Sequence, residues 1–239
     1  MSYNCLLLDL DETLVSFKES EKQAILRLYA KYGIPETDEN REYYHELNRD
    51  LWTDLKDGKL RKPELEKARF NTLIEKFDIR NVKADQLNRE FEGYLKQSVV
   101  PFDGALEFLE DIEDYATLAI VTNGYETVQQ NRLKISRIAD FVDEVVTSEK
   151  AGASKPDKRI FQSAIKKLGI SNTRTVLVVG DSLNTDIKGG INAGLDTCWI
   201  NFTGDENRTG IKPTYTVTSY MELKNIIMEG KNVIEKDRV

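Results

Sequence analysis

Histidine and cysteine are scarce in this sequence, and their scarcity excludes several kinds of site. The 239 residues include a single histidine, His45, and only two cysteines, Cys5 and Cys198. A zinc site of histidine and cysteine ligands, or a Ser-His-Asp triad, would need more or better placed partners. Both cysteines lie in short apolar runs, so a disulfide framework is not indicated.

Long apolar runs and clusters of basic residues are missing as well. No apolar run approaches the ~18 residues of a membrane span, and residues 1–4 lack the basic start and long apolar middle of a signal peptide. We therefore expect a cytoplasmic protein without a membrane partner. The net charge of −7 and the lack of a basic run argue against binding of a nucleic-acid polymer. A small anionic ligand held at one place is still compatible with this charge.

The first half of the chain has the pattern of a helical bundle. With 239 residues, 40% of them hydrophobic, the chain can form one large or two modest domains. Between residues 16 and 100, apolar side chains recur at helical spacing, as in Phe70, Leu73, Ile74 and Phe77, and no strand-like alternation interrupts them. We predict four or five helices in this stretch.

The pattern changes after residue 101 to short apolar runs that alternate with helical stretches, which indicates βαβ units around a parallel sheet. The predicted strands are 5–8, 117–122, 144–147, 175–180, 197–201 and 214–217. The predicted helices are 106–112, 125–135, 156–168 and 184–193. Because the first strand has no partner until residue 117, we interpret the chain as an α/β core, 1–15 plus 101–239, with a helical insertion at 16–100.

Two carboxylates follow the first predicted strand. Asp9 and Asp11 lie two residues apart in the stretch Asp9-Leu10-Asp11-Glu12-Thr13. In open α/β sheets the chemistry lies beyond the carboxyl ends of the strands, so we expect both side chains to point into a crevice. Two anions this close indicate a metal site or an acid/base pair, although a turn with Asp as a helix N-cap has the same local sequence.

Three further polar clusters occur near the ends of later strands. Thr122 and Asn123 follow the second predicted strand, and Lys155 precedes a predicted helix. Asp181 and Asp186 follow the fourth strand. Each cluster alone fits an ordinary turn or a solvated residue. Together they supply carboxylates for a hard cation, a hydroxyl and N–H groups for an anion, and a point positive charge, which are the components of phosphoryl transfer.

In this order the clusters resemble the four motifs of the haloacid dehalogenase-like (HAD) hydrolases. The matching stretches are Asp9 to Thr13, Thr122-Asn123-Gly124, Lys155-Pro156, and Gly180-Asp181 with Asp186. The resemblance covers the whole chain and implies an α/β fold with a Rossmann-like parallel sheet core and an inserted all-helical cap. Within the family the chain is similar to the pyrimidine 5′-nucleotidases, on the stretches 51–70, 122–124, 189–195 and 197–199.

The resemblance implies a phosphomonoester hydrolase that works through an aspartyl-phosphate. Asp9 would be the nucleophile, and Asp11 would protonate the leaving group and then deprotonate the attacking water. Thr122 through its hydroxyl and Asn123 through its backbone N–H would hold the phosphate oxygens. Lys155 would offset the negative charge of the phosphate and the carboxylates.

The resemblance also implies Mg²⁺ as the cofactor, and this ion suits the residues because it prefers oxygen ligands. The metal residues would be Asp9, Asp11, Asp181 and Asp186. Asp11 would contribute its backbone carbonyl, and Asp186 would lie near the ion or reach it through a water molecule.

The helical cap would close over the site and read the leaving group. Its candidate specificity residues are Phe17, Tyr44, Trp52 and Arg69, although packing between helices also explains such side chains. The expected partner is a small phosphorylated metabolite, and the resemblance narrows it to a (deoxy)pyrimidine nucleoside monophosphate.

Other functions fit parts of this pattern. A phosphatase of another small metabolite, such as a sugar phosphate, would use the same chemistry, and a phosphomutase would need a cap that shields the intermediate from water. Dehalogenases and phosphonatases need no proton donor at Asp11. A phospho-accepting signalling domain would place its lysine after every acid, whereas Lys155 precedes Asp181 and Asp186. A non-catalytic binding module is disfavoured because no motif residue is missing.

Overall fold

The computed structural model of this chain describes residues 3–236, and among these the side chains of Lys56 and residues 229–236 lie outside the description. The chain divides into two compact units. We call Met1–Phe17 with Val99–Val239 the sheet unit, and Lys18–Ser98 the helical unit.

The sheet unit contains one six-stranded sheet in which every paired strand is parallel. Its strands are β1 (Cys5–Leu8), β2 (Thr117–Thr122), β3 (Glu144–Thr147), β4 (Val176–Gly180), β5 (Asp196–Ile200) and β6 (Tyr215–Val217). They are arranged in the order β3-β2-β1-β4-β5-β6, so β1 lies between β2 and β4. This arrangement confirms the predicted Rossmann-like α/β sheet, and each strand matches its predicted range to within one residue.

The helices of the sheet unit lie between these strands in sequence, except the last, which follows β6. They are α5 (Ala105–Ile112), α6 (Glu126–Ile135), α7 (Ser148–Ala151), α8 (Lys158–Lys167), α9 (Lys188–Asn192) and α10 (Tyr220–Lys236). α8 begins two residues later than predicted because Asp157 is its N-cap and accepts a hydrogen bond from the Arg159 N–H. A π-helical turn, Leu183–Ile187, replaces the first part of the helix predicted at 184–193.

The central strand β1 is buried on both faces, which explains its unbroken apolar sequence. Leu6 and Leu8 belong to the core cluster on one face, which includes Phe108 of α5. Cys5 and Leu7 belong to the cluster on the other face, which includes Phe161 of α8. The layers on both sides of β1 therefore hold its carboxyl end in a defined place.

The helical unit consists of four helices, α1 (Phe17–Tyr32), α2 (Asp38–Lys56), α3 (Lys62–Lys76) and α4 (Ala84–Leu95), the first of which begins one residue before the unit. Its core is formed by apolar side chains that recur at helical spacing, among them Leu28, Phe70, Leu73 and Phe91. Gly33 follows the end of α1 and adopts a φ of +67°, which favours glycine. No helix within residues 3–236 combines the length and the apolar character needed to span a membrane.

Candidate active site

The polar residues predicted from the sequence meet at the carboxyl edge of the sheet. Asp9 follows β1, Thr122 ends β2, and Asp181 follows β4. Because β1 pairs in parallel with both β2 and β4, these three strand ends are neighbours. The location is the one where open α/β sheets bind their ligands.

The Lys155 side chain lies at the centre of this edge and is 3% exposed. Its Nζ is 2.5 Å from Asp9 Oδ1 and 2.6 Å from Asp186 Oδ1. It also donates a hydrogen bond to the Val121 carbonyl at 2.9 Å. Burial by itself lowers the pKa of Lys155, but the carboxylates of Asp186 and Asp9 outweigh burial and raise that pKa above its usual value.

Asn123 fixes the backbone at Lys155 through two reciprocal hydrogen bonds. The Lys155 N–H donates to Asn123 Oδ1 at 2.8 Å, and Asn123 Nδ2 donates to the Lys155 carbonyl at 3.1 Å. The loop after β2 is therefore joined to the segment that precedes α8. The backbone N–H of Asn123, which we predict to bind phosphate, lies in this same loop.

Asp186 reaches the strand end from the π-helical turn Leu183–Ile187. Its Oδ2 accepts a hydrogen bond from the Ser182 N–H at 3.0 Å, and the residue is 1% exposed. A Cβ atom on Gly180 would lie 2.4 Å from Asp186 Cγ, closer than real Cβ contacts. Glycine at position 180 thus makes room for this buried carboxylate. π-Helical turns such as Leu183–Ile187 are frequent at functional sites.

Hydrogen bonds also join the loop after β4 to the loop after β1. The Asp181 N–H donates to Thr13 Oγ1 at 3.1 Å, and Trp199 Nε1 donates to the Asp181 carbonyl at 2.7 Å. The Tyr220 hydroxyl donates to the Thr13 carbonyl at 2.6 Å. These bonds connect β1, β4, β5 and α10 and hold Asp181 opposite Asp9.

Asp9, Asp181 and Asp186 form a group in which one carboxylate oxygen from each residue lies within 4.8 Å of the other two. The pKa of Asp9 lies well above its usual range, mainly because the side chain is buried. The Lys155 ammonium acts in the opposite direction, and the nearby carboxylates of Asp186, Asp181 and Asp11 raise the pKa further. Burial, reinforced by the Asp186 carboxylate, raises the pKa of Asp181 to about 7.

The charges of this group suit a divalent cation. Three carboxylates face a single ammonium group, so negative charge is in excess in a buried place. All the side-chain donors are oxygens, which hard cations such as Mg²⁺ prefer. The residues present therefore fit a divalent metal ion.

The Asp11 carboxylate has different neighbours, both on α6. Arg132 Nη1 is 2.6 Å from Asp11 Oδ1, and Gln129 Nε2 donates to Asp11 Oδ2 at 2.6 Å. Gln129 Nε2 also lies 3.0 Å from Thr122 Oγ1, which accepts a further hydrogen bond from the Gly124 N–H at 3.0 Å. Both partners of the Thr122 hydroxyl are donors, so its own proton is available for an oxygen of a bound anion.

The matches with known proteins agree with this geometry. The model of the haloacid dehalogenase-like hydrolases matches residues 6–200 of the chain, which include every residue described above at the sheet edge except Tyr220. The chain belongs to the haloacid dehalogenase-like hydrolases.

Several relatives in this family match almost the whole chain. The pyrimidine 5′-nucleotidase YjjG of Escherichia coli is 36% identical over 95% of this chain and 99% of its own. The pyrimidine 5′-nucleotidase PynA of Streptococcus pneumoniae is 34% identical over 99% of both chains. The crystal structure of the magnesium-bound HAD-hydrolase YfnB of Bacillus subtilis matches with a TM-score of 0.88 at 32% identity, covering 95% of this chain and 99% of that one.

Of the four candidate specificity residues in this HAD hydrolase, Phe17 lies in the sheet unit. The Arg132 guanidinium carbon is 5.5 Å from the centre of its ring. Trp52 is half-buried on α2 in the helical unit. Contact of either side chain with a substrate stays a prediction.

Tyr44 and Arg69 are buried among the helices of the helical unit, at 1% and 3% exposure. Arg69 donates to Asn48 Oδ1 at 3.0 Å and to Asn88 Oδ1 at 3.1 Å. Its guanidinium also lies within 5.0 Å of the centres of two phenylalanine rings. These contacts describe packing inside the helical unit, and a role of Tyr44 or Arg69 in substrate binding is still untested.

The sequence reasoning missed Gln129 and Arg132. Both are 1% exposed, although glutamine and arginine are rarely buried to this extent. Their spacing of three residues places them on one face of the helix predicted at 125–135, and that face also carries Val128 and Leu133. Polar residues on an otherwise apolar helix face were the available signal.

We expect Lys155→Met to lower the free energy of unfolding by about 3 kcal/mol or more at neutral pH, because it leaves the Asp9 and Asp186 carboxylates buried without a cation. Adding Asp186→Asn should recover part of this loss. Urea denaturation of the metal-free proteins measures both effects.

Lys150→Met is the control. Lys150 pairs with Glu126 at 2.6 Å, but its side chain is 40% exposed, so this substitution should lower the free energy of unfolding by no more than about 0.5 kcal/mol. Equal values for the two lysine variants would contradict the central role of Lys155.

Proposed function

We propose that this HAD hydrolase cleaves phosphate monoesters through a covalent intermediate on Asp9 and that its preferred substrates are (deoxy)pyrimidine nucleoside 5′-monophosphates. The observation that supports the chemistry best is the convergence of Asp9, Lys155 and Thr122 at the carboxyl edge of the sheet. A carboxylate, an ammonium group and a hydroxyl donor are the groups needed to attack phosphorus and to hold its oxygens.

In the first step an Asp9 carboxylate oxygen forms a bond to phosphorus while the bond from phosphorus to the ester oxygen breaks. Asp11 gives its proton to the departing alkoxide, since an alkoxide is a poor leaving group without protonation. In the second step Asp11 takes a proton from water, and the water oxygen replaces Asp9 on phosphorus. Inorganic phosphate is released and the Asp9 carboxylate is regenerated.

Thr122 and Lys155 bind the non-reacting phosphate oxygens. The Thr122 hydroxyl has a proton to donate, because its neighbours Gly124 and Gln129 are both donors to it. The Lys155 ammonium contributes a point charge in a place with little water, where it attracts an anion more strongly than it would at the surface. The backbone N–H of Asn123 is the third predicted donor.

Asp9, Asp181 and Asp186 would hold the metal ion, with the Asp11 backbone carbonyl as a further predicted ligand. When bound, Mg²⁺ would supply positive charge that offsets the carboxylates and the incoming phosphate. We assign Mg²⁺ because the donors are oxygens, which suit hard cations, and because the related YfnB structure is described as bound to magnesium.

The substrate class rests on the relatives and on charge. Two relatives at 34% and 36% identity, each matched over nearly its whole length, are pyrimidine 5′-nucleotidases. The sequence has a net charge of −7 and no basic run that would follow a polynucleotide backbone. The helical unit, acting as a cap, would then read a single base and sugar.

Metal binding can be tested without an activity assay. We expect Mg²⁺ to raise the melting temperature of the wild type, and Asp181→Asn to lose most of that shift. The folded pKa of Asp181, about 7, lies above the ordinary value of 3.8, so the folded state keeps a proton that the unfolded state has lost. This group therefore lowers the stability of the metal-free protein as pH rises between these values.

Because metal and proton compete for the same carboxylate, the Mg²⁺ shift should be larger at about pH 8 than at about pH 6. A thermal scan with EDTA or Mg²⁺ at each pH measures this. Asp157→Asn, which alters an exposed carboxylate at the start of α8, is the control and should keep the full shift. An unchanged Mg²⁺ shift in Asp181→Asn would contradict the assignment of Asp181.

The substrate proposal is tested with a matched panel of pyrimidine nucleotides, purine nucleotides and hexose phosphates. We expect UMP, dUMP and dTMP to have the highest kcat/KM, because the pyrimidine nucleotidase relatives share sequence through the helical unit as well as the sheet unit. Phosphate release is the measurement. A hexose phosphate that leads by about ten-fold, equivalent to about 1.4 kcal/mol of transition-state binding, would overturn the nucleotidase assignment and leave the Asp9 chemistry in place.

A further inference from the structure

The Asp11 carboxylate is bound by two side chains that lie outside the four motifs. Arg132 Nη1 lies 2.6 Å from one carboxylate oxygen, and Gln129 Nε2 lies 2.6 Å from the other. Each oxygen of Asp11 therefore has its own donor on α6. With both oxygens bound, the carboxylate can neither rotate nor change its direction without losing a contact.

Arg132 is itself held on several sides. Its side chain is 1% exposed, and its Nη1 lies 2.6 Å from Asp11 Oδ1. Gln129 Oε1 accepts a hydrogen bond from Arg132 Nη1 at 2.9 Å. The Phe17 ring lies 5.5 Å from the guanidinium carbon. Arg132 thus presents one nitrogen to Asp11 from a fixed position.

Gln129 connects Asp11 to the phosphate-binding hydroxyl. Its Nε2 donates both to Asp11 Oδ2 and to Thr122 Oγ1, at 2.6 and 3.0 Å. The side chain packs so closely under the loop after β2 that a Cβ atom on Gly124 would lie 2.3 Å from Gln129 Nε2. One amide group therefore sets the separation between Asp11 and Thr122.

We propose that Gln129 and Arg132 are positioning residues, which fix the Asp11 carboxylate relative to the Thr122 hydroxyl for protonation of the leaving group. This proposal rests on the proposed function, because it assigns the two residues to the leaving-group step of the same hydrolysis. When Thr122 binds one oxygen of the phosphate group, it also fixes the position of the ester oxygen on the same phosphorus. A fixed distance from Thr122 to Asp11 therefore places the ester oxygen beside the proton donor.

A positioning role and a packing role make different predictions for different esters. An alkyl leaving group such as a nucleoside needs a proton as it departs, whereas p-nitrophenolate departs with little help. Loss of a correctly placed Asp11 should therefore slow alkyl esters far more than the aryl ester. Loss of folded protein should slow both equally.

The experiment measures kcat/KM for UMP, or for whichever alkyl ester leads the panel, and for p-nitrophenyl phosphate. This parameter reports the steps through departure of the leaving group. For Arg132→Met and Gln129→Met we expect a loss of about 30-fold or more with the alkyl ester and of less than about 5-fold with the aryl ester. In an Asp11→Asn background the same substitutions should cost less than about 3-fold, because they act through Asp11.

Two substitutions serve as matched controls, and a third tests rescue. Gln130→Met changes the exposed neighbour on α6, and Arg174→Met changes an exposed arginine that precedes β4, at the amino end of the sheet. Both should keep kcat/KM for each ester within about 2-fold. Arg132→Lys retains the positive charge, so it should recover most of the loss with the alkyl ester.

Equal losses for the two esters, or an unchanged loss in the Asp11→Asn background, would overturn the positioning role while leaving the proposed hydrolysis intact. A wild type that hydrolyses neither ester with Mg²⁺ would overturn the proposed function and this inference together. If Arg132→Met does not fold, Gln129→Met makes the same comparison. Circular dichroism and thermal melting identify a variant that is not folded.

Discussion

The arrangement of the sheet edge depends on one buried ammonium group placed between two carboxylates. Lys155 Nζ lies 2.5 Å from Asp9 and 2.6 Å from Asp186, and the side chain is 3% exposed. Neither carboxylate could stay ionised in this place without a nearby cation. The loops after β1, β2 and β4 all converge on this pairing, through Asp9, the Asn123 bonds to the Lys155 backbone, and the turn that carries Asp186.

The two aspartates of the first motif lie in separate electrostatic surroundings. Asp9 lies beside Lys155, Asp181 and Asp186, where the negative charge fits a divalent cation. Asp11 faces Arg132 and Gln129 on α6. Neighbouring carboxylates with different partners can take different chemical roles.

Much of the fold could be predicted from the sequence because the strands β1, β2 and β4 are buried almost throughout and consist mainly of apolar residues. The same periodicity could not reveal the π-helical turn at Leu183–Ile187, which places the Asp186 side chain against Gly180. Gln129 and Arg132 contact Asp11 across 118 and 121 positions of the chain, so the local helix pattern could indicate their burial but not their contact with Asp11. The role of a single aromatic residue such as Tyr44 could not be predicted from the sequence, because a residue that packs between helices and one that contacts a ligand have the same sequence pattern.

The central claim is that Asp9 becomes phosphorylated during turnover. An acid quench of the enzyme with Mg²⁺ and a rapidly hydrolysed phosphate monoester, followed by peptide mass spectrometry, tests it most directly. An aspartyl-phosphate is an activated acyl phosphate, so borohydride should convert the modified residue to homoserine. We predict one phosphoryl group on the peptide that contains Asp9, and homoserine at position 9 after treatment with borohydride. Neither product should form in Asp9→Asn. Turnover with a phosphoryl group on another residue, or undiminished turnover in Asp9→Asn, would contradict the account.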